Sequence, residues 1–219
     1  MEPVTFTTDD AARLEGEVRM PEGEPRGSAV LCHPHPRHGG SKDHPLLWAI
    51  RNDLAATRQL AVLAFNFRGV MGSGGTYGGG RDEIRDVVAA IRTVRERVAP
   101  DLPTALIGWS FGANVAVRAA IDDTRVAALA LIGLPLVPND LSLPPLPDAT
   151  DLHALRRPVL LLAGEHDTFA PAEQVQAYAA SFPEATVRIV GGTDHYFWRR
   201  EREAAAIVGG FVQGVLTPA

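Results

Sequence analysis

A serine flanked by two glycines stands where an apolar stretch gives way to an alanine-rich one. Residues 108–112 read Gly-Trp-Ser-Phe-Gly, after the apolar run 103–107 and before the segment 113–121. The first run predicts a buried strand and the second a helix, so Ser110 lies at a sharp turn between them. The glycines leave room where the chain folds back on itself. The pattern is that of a nucleophile elbow, although a serine in a tight turn without chemistry has the same local sequence.

A serine hydroxyl at neutral pH needs a base to take its proton. His195 follows the predicted strand 185–190, and Asp167 follows the predicted strand 158–163. An acid and a histidine after later strands reproduce the chain order of nucleophile, acid and histidine that catalytic triads of this type use. We therefore predict Ser110 as nucleophile, His195 as general base and acid, and Asp167 as the carboxylate that orients the imidazole.

Neighbouring residues offer alternatives for two of these roles. Glu165 and His166 directly precede Asp167, and Asp194 directly precedes His195. Each of these side chains, Asp167 included, also suits a turn, a helix cap or a solvated loop. The positions after the strands favour Asp167 and His195 over their neighbours.

An acyl-transfer site also needs backbone donors for a developing oxyanion. One is predicted to be the N–H of Phe111, the residue after the nucleophile. The other is predicted in the loop after the first buried strand, which reads His33-Pro34-His35-Pro36. Proline has no N–H to donate, which leaves the backbone amide of His35.

Two other features point to different chemistry. Histidines 33, 35, 38 and 44 invite a zinc site, but Asp43 is the only acidic residue among them and no cysteine pair completes a ligand set, so we expect no metal.

The glycine-rich segment 69–80 has the composition of a phosphate-binding loop but not the glycine spacing of one. We expect a mobile loop beside the site and no cofactor.

The elements that must position these residues alternate along the chain. Strands are predicted over 14–20, 28–33, 61–67, 103–107, 126–132, 158–163 and 185–190, and helices over 45–58, 81–98, 113–121, 171–182 and 196–216. The first strand alternates apolar and charged residues, as an antiparallel edge strand does. The helix over 81–98 carries an apolar stripe of Ile84, Val87, Val88, Ile91, Val94 and Val98. This alternation predicts an α/β fold with a mostly parallel sheet and helices on both faces.

The segment 134–150 lies where a lid would be inserted. It is short and stiffened by five prolines, so no lid domain is predicted. Its apolar residues either wall an acyl pocket or cover the core: Leu134, Leu136, Val137, Leu141, Leu143 and Leu146.

Composition narrows the class of protein. A length of 219 residues favours one domain over 1–219. A net charge of −5 without a basic cluster argues against nucleic acid or an anionic membrane surface as partner. The first residues lack a basic segment followed by an apolar one, no apolar run reaches the ~20 residues of a membrane span, and the single Cys32 excludes an internal disulfide. We expect a cytoplasmic enzyme and a buried structural thiol.

Taken together, the motifs resemble those of small bacterial α/β-hydrolases related to dienelactone hydrolase. The matching stretches are 33–40 (His-Pro-His-Pro-Arg-His-Gly-Gly), 65–70, 108–112, 164–167 and 194–195. The resemblance implies serine-dependent hydrolysis of esters without a cofactor, and supports Ser110, Asp167 and His195 position by position. Met71 departs from it where a glycine is expected. Dienelactone hydrolase itself uses a cysteine nucleophile, so its specific activity is not implied.

The predicted function is therefore a serine hydrolase that cleaves carboxylic esters of small acyl compounds. A thioesterase, an acyltransferase and a peptidase use the same triad and stay open. A non-catalytic binding protein on the same fold is the alternative of another class. The predicted partner is a small acyl substrate.

Overall fold

A computed structural model of the protein describes residues 1–98, 100–138 and 140–217. Its centre is an eight-stranded sheet with the order β1-β2-β4-β3-β5-β6-β7-β8. The strands are β1 Glu2–Thr7, β2 Arg13–Arg19, β3 Gly27–Cys32, β4 Leu60–Phe65, β5 Thr104–Trp109, β6 Val126–Ile132, β7 Val159–Gly164 and β8 Ala185–Val190. Strands β3 to β8 pair in parallel. The predicted mostly parallel sheet is confirmed.

The antiparallel end of the sheet differs from the prediction in one respect. Strand β2 pairs antiparallel with both β1 and β4, so it is not the edge strand that its alternating sequence predicted. The edge is β1, in which Val4 and Phe6 alternate with exposed residues and pack on the core. A strand that covers the core with only two apolar side chains leaves a weak sequence signal.

Helices cover both faces of the sheet, as predicted. They are α1 Pro45–Arg58, α2 Glu83–Arg97, α3 Phe111–Asp122, α4 Ala149–Ala154, α5 Ala172–Ala179 and α6 Glu201–Leu216. Helices α1 and α6 share one core cluster, and α2, α3, α4 and α5 share the other. In α2 the predicted stripe holds except at Val88, which is 38 % exposed. Among the residues described, no helix is long and apolar enough to span a bilayer.

The last helix begins five residues later than predicted, at Glu201 instead of position 196. Phe197 and Arg199 both have a positive φ, 56° and 63°. Such angles interrupt a right-handed helix, and non-glycine residues adopt them only where the surroundings compensate. Phe197 is fully buried, so its packing holds the turn.

The segment between β6 and β7 carries no lid domain in its described part, which leaves out position 139. It is irregular chain followed by the six-residue α4. Its apolar residues divide between the two predicted roles. Leu141 lines the candidate site, whereas Leu134 is buried in the core and three others pack against it: Leu136, Leu143 and Leu146.

Candidate active site

Ser110 occupies a strained turn between β5 and α3. Its backbone angles are φ 55° and ψ −115°, a conformation that non-glycine residues hold only under constraint. A Cβ at Gly108 would overlap the carbonyl oxygen of Gly112, and a Cβ at Gly112 would overlap that of Cys32. Both positions therefore require glycine, because α3 starts against the ends of β5 and β3. The turn presents Ser110 at the carboxyl end of the sheet.

Three of the predicted residues lie in a hydrogen-bonded series. Nε2 of His195 is 2.9 Å from Oγ of Ser110, and Nδ1 is 2.8 Å from Oδ2 of Asp167. A carboxylate only accepts, so Nδ1 carries the ring proton and Nε2 is left to accept from the serine hydroxyl. All three side chains are buried. This arrangement can remove the proton of Ser110 as its oxygen attacks an electrophile.

The second oxygen of Asp167 fixes the loop that carries it. Oδ1 accepts from the amides of Phe169 and Ala170 at 2.9 and 3.0 Å. Asp167 therefore has both functions that the sequence allowed: one oxygen stabilises the turn, while the other faces His195. The carboxylate cannot rotate without losing these bonds.

The neighbouring acids and histidine lie outside the series. His166 is exposed, with Nε2 3.8 Å from Oε2 of Glu165. Glu165 accepts from the amide of Gly192, and Asp194 accepts from the amide of Tyr196. These side chains organise the loops after β7 and β8.

Two residues beside His195 were not predicted from the sequence to contribute. The indole Nε1 of Trp109 donates to the carbonyl oxygen of His195 at 3.2 Å. Gly133 directly follows β6 with φ 52°, and a Cβ there would come within 3.0 Å of the His195 ring. The glycine after β6 was a visible signal for a close approach, whereas the Trp109 bond joins residues far apart in sequence.

The predicted oxyanion donors lie on segments that the fold brings together. Phe111 is the first residue of α3, where an amide has no intrahelical acceptor and the helix dipole favours negative charge. His35 precedes a single 3-10 turn, Pro36–His38. A Cβ at Gly40 would overlap the carbonyl of Pro34, so this turn also requires glycine. The rings of His35 and Phe111 are 5.2 Å apart.

The His35 side chain holds the same turn in place. Its Nδ1 accepts from the amide of Arg37 at 3.1 Å, and its Nε2 lies 3.0 Å from the hydroxyl of Tyr77. The guanidinium of Arg37 lies 4.7 Å above the Tyr77 ring. Burial lowers the pKa of His35, which keeps the ring neutral and able to accept. Tyr77 belongs to the glycine-rich segment, whose part in the site the sequence did not reveal.

The glycine-rich segment is tied down by two carboxylates. Glu83 accepts from the amides of Gly78 and Gly80, each at 2.8 Å, and Glu15 accepts from Gly72 at 2.9 Å. These amides, which a phosphate would need, are occupied by the protein's own acids. Met71 has φ 49°, a region that favours glycine, as the resemblance implied for its position.

The histidines of the predicted zinc alternative have other partners. His33 is fully buried, with Nδ1 2.6 Å from the carbonyl of Pro34 and Nε2 accepting from the amide of Phe67 at 3.0 Å. Burial lowers the pKa of His33 to about 4. His44 caps α1 by accepting from the amide of Leu46. No group of three metal-binding side chains occurs within the residues described, and Cys32 is buried with its pKa raised by desolvation.

A cavity of about 250 Å³ opens on Ser110 and His195. Its wall combines polar and apolar side chains from the end of β5 and from four loops, among them His35, His38, His44, Trp109, Leu141, Phe169 and Tyr196. A cavity of this size lies just below the usual range for drug-sized ligands, roughly 300–1,000 Å³. It therefore fits a small substrate.

Comparison with known proteins agrees with the fold. Residues 28–208 match the family described as alpha/beta hydrolase domain. The protein belongs to this family.

Solved structures of serine hydrolases share this fold. It is similar to an alpha-beta serine hydrolase homologue from Coxiella burnetii, with 28 % identity, a TM-score of 0.82 and coverage of 95 % of this chain and 96 % of that one. It is also similar to a lidless α/β serine hydrolase from Xanthomonas campestris, with 25 % identity, a TM-score of 0.82 and coverage of 99 % and 95 %. An uncharacterized protein of Rickettsia prowazekii is 24 % identical over 216 residues, 96 % of this chain and 88 % of the relative.

Proposed function

We propose that the protein is a serine hydrolase that cleaves carboxylic esters of small acyl compounds through an acyl-enzyme. The observation that carries this proposal is the buried series from Ser110 through His195 to Asp167, with contacts of 2.9 and 2.8 Å. Its membership of the alpha/beta hydrolase domain family supports the same class of activity.

In the proposed reaction, Oγ of Ser110 attacks the acyl carbon while its proton passes to Nε2 of His195. The amides of Phe111 and His35 donate to the oxyanion, an interaction worth ~10²–10³-fold in rate per donor in other acyl-transfer enzymes. The bond to the leaving group then breaks, and the departing oxygen takes the proton from His195. Water attacks the acyl-enzyme with His195 again as base, which releases the acid and restores Ser110.

The site favours short acyl chains. The cavity of about 250 Å³ has no lid over it in the described residues, and Leu141 supplies only a short apolar wall. A long acyl chain would extend into water and gain little from burial. Matching thioesters would fit the same cavity. Turnover of oxygen esters must therefore be compared directly with that of the matching thioesters.

The proposal includes several finer points. The His33–Gly40 turn supports a relation to dienelactone hydrolases. We further propose one domain over 1–219, a small acyl substrate as partner and a cytoplasmic location.

The test is a fluorophosphonate probe combined with a substrate panel. The wild type should be labelled at one site, and Ser110→Ala should lose both the label and turnover. The panel pairs oxygen esters, thioesters and amides with acyl chains from acetyl to dodecanoyl, and we expect the highest kcat/KM for short oxygen esters. Labelling of Ser110→Ala at full stoichiometry would contradict the assignment of the nucleophile. Failure of the wild type to react with the probe or any activated ester would favour a binding protein.

A further inference from the structure

Two large aromatic side chains are held in solvent immediately after His195. Tyr196 is 46 % and Trp198 57 % exposed. Their rings are stacked, with centroids 6.2 Å apart and an interplanar angle of 24°. The ring of His44 lies 6.2 Å from that of Trp198. We call Tyr196, Trp198 and His44 the aromatic shelf. Adjacent exposed rings of this kind typically mark a surface for binding.

The shelf is continuous with the proposed catalytic site. The Tyr196 ring is 5.7 Å from the ring of His195, and the His44 ring is 4.3 Å from that of Trp109, the residue before the nucleophile. Tyr196 and His44 also line the cavity that opens on Ser110. A substrate bound at Ser110 that extends past His195 would therefore meet the shelf.

The backbone holds the shelf in a fixed arrangement. Phe197 and Arg199, on either side of Trp198, have positive φ angles, and Phe197 is fully buried. The side chain of Asp194 accepts from the amide of Tyr196 at 2.9 Å. Strained residues of this kind persist only where the surroundings hold them. Burial of Phe197 thus keeps the rings of Tyr196 and Trp198, its neighbours in the chain, pointing outward.

We propose that the aromatic shelf binds an aromatic ring in the alcohol part of the ester. The proposal rests on the proposed function, because the leaving oxygen must take its proton from Nε2 of His195 and so departs beside this ring. The alcohol part then extends over Tyr196 and Trp198. The substrates of choice are small acyl esters of arylmethyl alcohols.

The test compares esters that differ only in the aromaticity of one part. Benzyl acetate and cyclohexylmethyl acetate vary the alcohol, whereas methyl phenylacetate and methyl cyclohexylacetate vary the acyl group. Stacked aromatic rings gain free energy in addition to that of the area they bury. We therefore expect kcat/KM of the wild type to be about twofold to tenfold higher for benzyl acetate than for cyclohexylmethyl acetate. Trp198→Leu and Tyr196→Leu should each bring the ratio of these two kcat/KM values close to one. The corresponding ratio for methyl phenylacetate and methyl cyclohexylacetate should stay unchanged.

Trp48 provides the matched control. It is 53 % exposed on α1, and no ring contact joins it to the shelf within the described residues. Trp48→Leu should keep the wild-type preference. The inference is overturned if Trp198→Leu and Tyr196→Leu both keep the wild-type ratio of kcat/KM for benzyl acetate to that for cyclohexylmethyl acetate, or if Trp48→Leu lowers this ratio equally. In either case, wild-type turnover and its loss in Ser110→Ala would still support the hydrolase. Absence of turnover and of probe labelling in the wild type would instead reject the proposed function, and the shelf's role with it.

Discussion

At the level of single residues, the site depends on how Asp167 divides its two oxygens. Oδ2 faces Nδ1 of His195 at 2.8 Å, and Oδ1 accepts from two amides of its own loop. The loop bonds decide which oxygen is left for the imidazole. Glu165 and Asp194 lack this arrangement although they are close in sequence, because each is engaged by an amide elsewhere.

Asp167→Asn should therefore keep the loop in place while it reverses the tautomer of His195 and removes the negative charge beside its ring. The amide can keep the loop bonds through its oxygen, but its NH₂ then faces Nδ1 and forces the proton onto Nε2, which can no longer accept from Ser110. We expect kcat to fall by about 10⁴-fold with KM changed little, by analogy with the same substitution in serine proteases. Steady-state kinetics on a short ester measures both.

The neighbouring acids serve as controls for Asp167. Glu165→Gln and Asp194→Asn keep an acceptor for their amides and should leave kcat within about twofold of wild type, as surface substitutions usually do. A loss in either control as large as that in Asp167→Asn would show that the orienting acid was assigned wrongly.

At the level of elements, the nucleophile turn depends on how closely α3 approaches β5 and β3. Gly108 and Gly112 face carbonyl groups with no space for a Cβ. Backbone atoms cannot give way as a flexible side chain can, so a methyl group there must push the helix from the sheet. The positions of Ser110 and of the Phe111 amide both change if the helix moves.

Two glycine substitutions should change stability in opposite directions. Gly108→Ala introduces the overlap, and we expect the free energy of unfolding to fall by about 3 kcal/mol or more. Gly214→Ala lies in α6 with nothing within 4 Å of its Cβ, and should raise the free energy of unfolding by about 0.5–1 kcal/mol. Urea unfolding of both variants gives the comparison. A Gly108→Ala protein as stable as the wild type would contradict the close approach.

The elements that the sequence predicted well are those with a strong, local pattern. The strands β3 to β7 are mostly apolar runs, and the carboxyl ends of the parallel strands β3 to β8 necessarily share one edge, which brings Ser110, Asp167 and His195 within reach. The six-residue α4 is too short for a helical period to show. Apolar Phe197 reads as part of a helix, yet it is buried with a positive φ, because tertiary packing overrides local preference.

The parts of the site that could not be predicted are contacts between distant segments. The bond from Tyr77 to His35 and that from Trp109 to His195 each join residues with no shared local pattern. A glycine-rich loop indicates flexibility by composition, and only the carboxylates of Glu15 and Glu83 reveal that it is tied down. Side chains that satisfy amides across the fold become visible only with coordinates.

At the level of the whole molecule, stability should depend on a histidine at the centre of the fold. His33 follows β3, is fully buried and accepts from the amide of Phe67, which follows β4. It thereby joins the ends of two central strands. Protonation would remove the acceptor and place a charge in the core, and for this reason burial lowers the pKa of His33 to about 4.

The direction of the pH effect follows from the two states. An unfolded histidine has a pKa near 6.5, so between about pH 6.5 and 4 the unfolded chain binds more protons at position 33 than the native protein does. The contribution of His33 to stability is therefore complete above pH 6.5 and is lost as the pH falls toward 4. The loss can reach about 3 kcal/mol over this window.

His33→Gln isolates this contribution, since glutamine can accept from Phe67 but does not titrate. The free energy of unfolding in urea, measured for both proteins from pH 7.5 to 4, should show the wild type losing stability relative to the variant as the pH falls. Groups that titrate in both proteins without interacting with position 33 cancel in the difference. Parallel pH profiles would contradict the prediction, because a His33 that gained its proton equally in both states could not be the buried acceptor that joins β3 to β4.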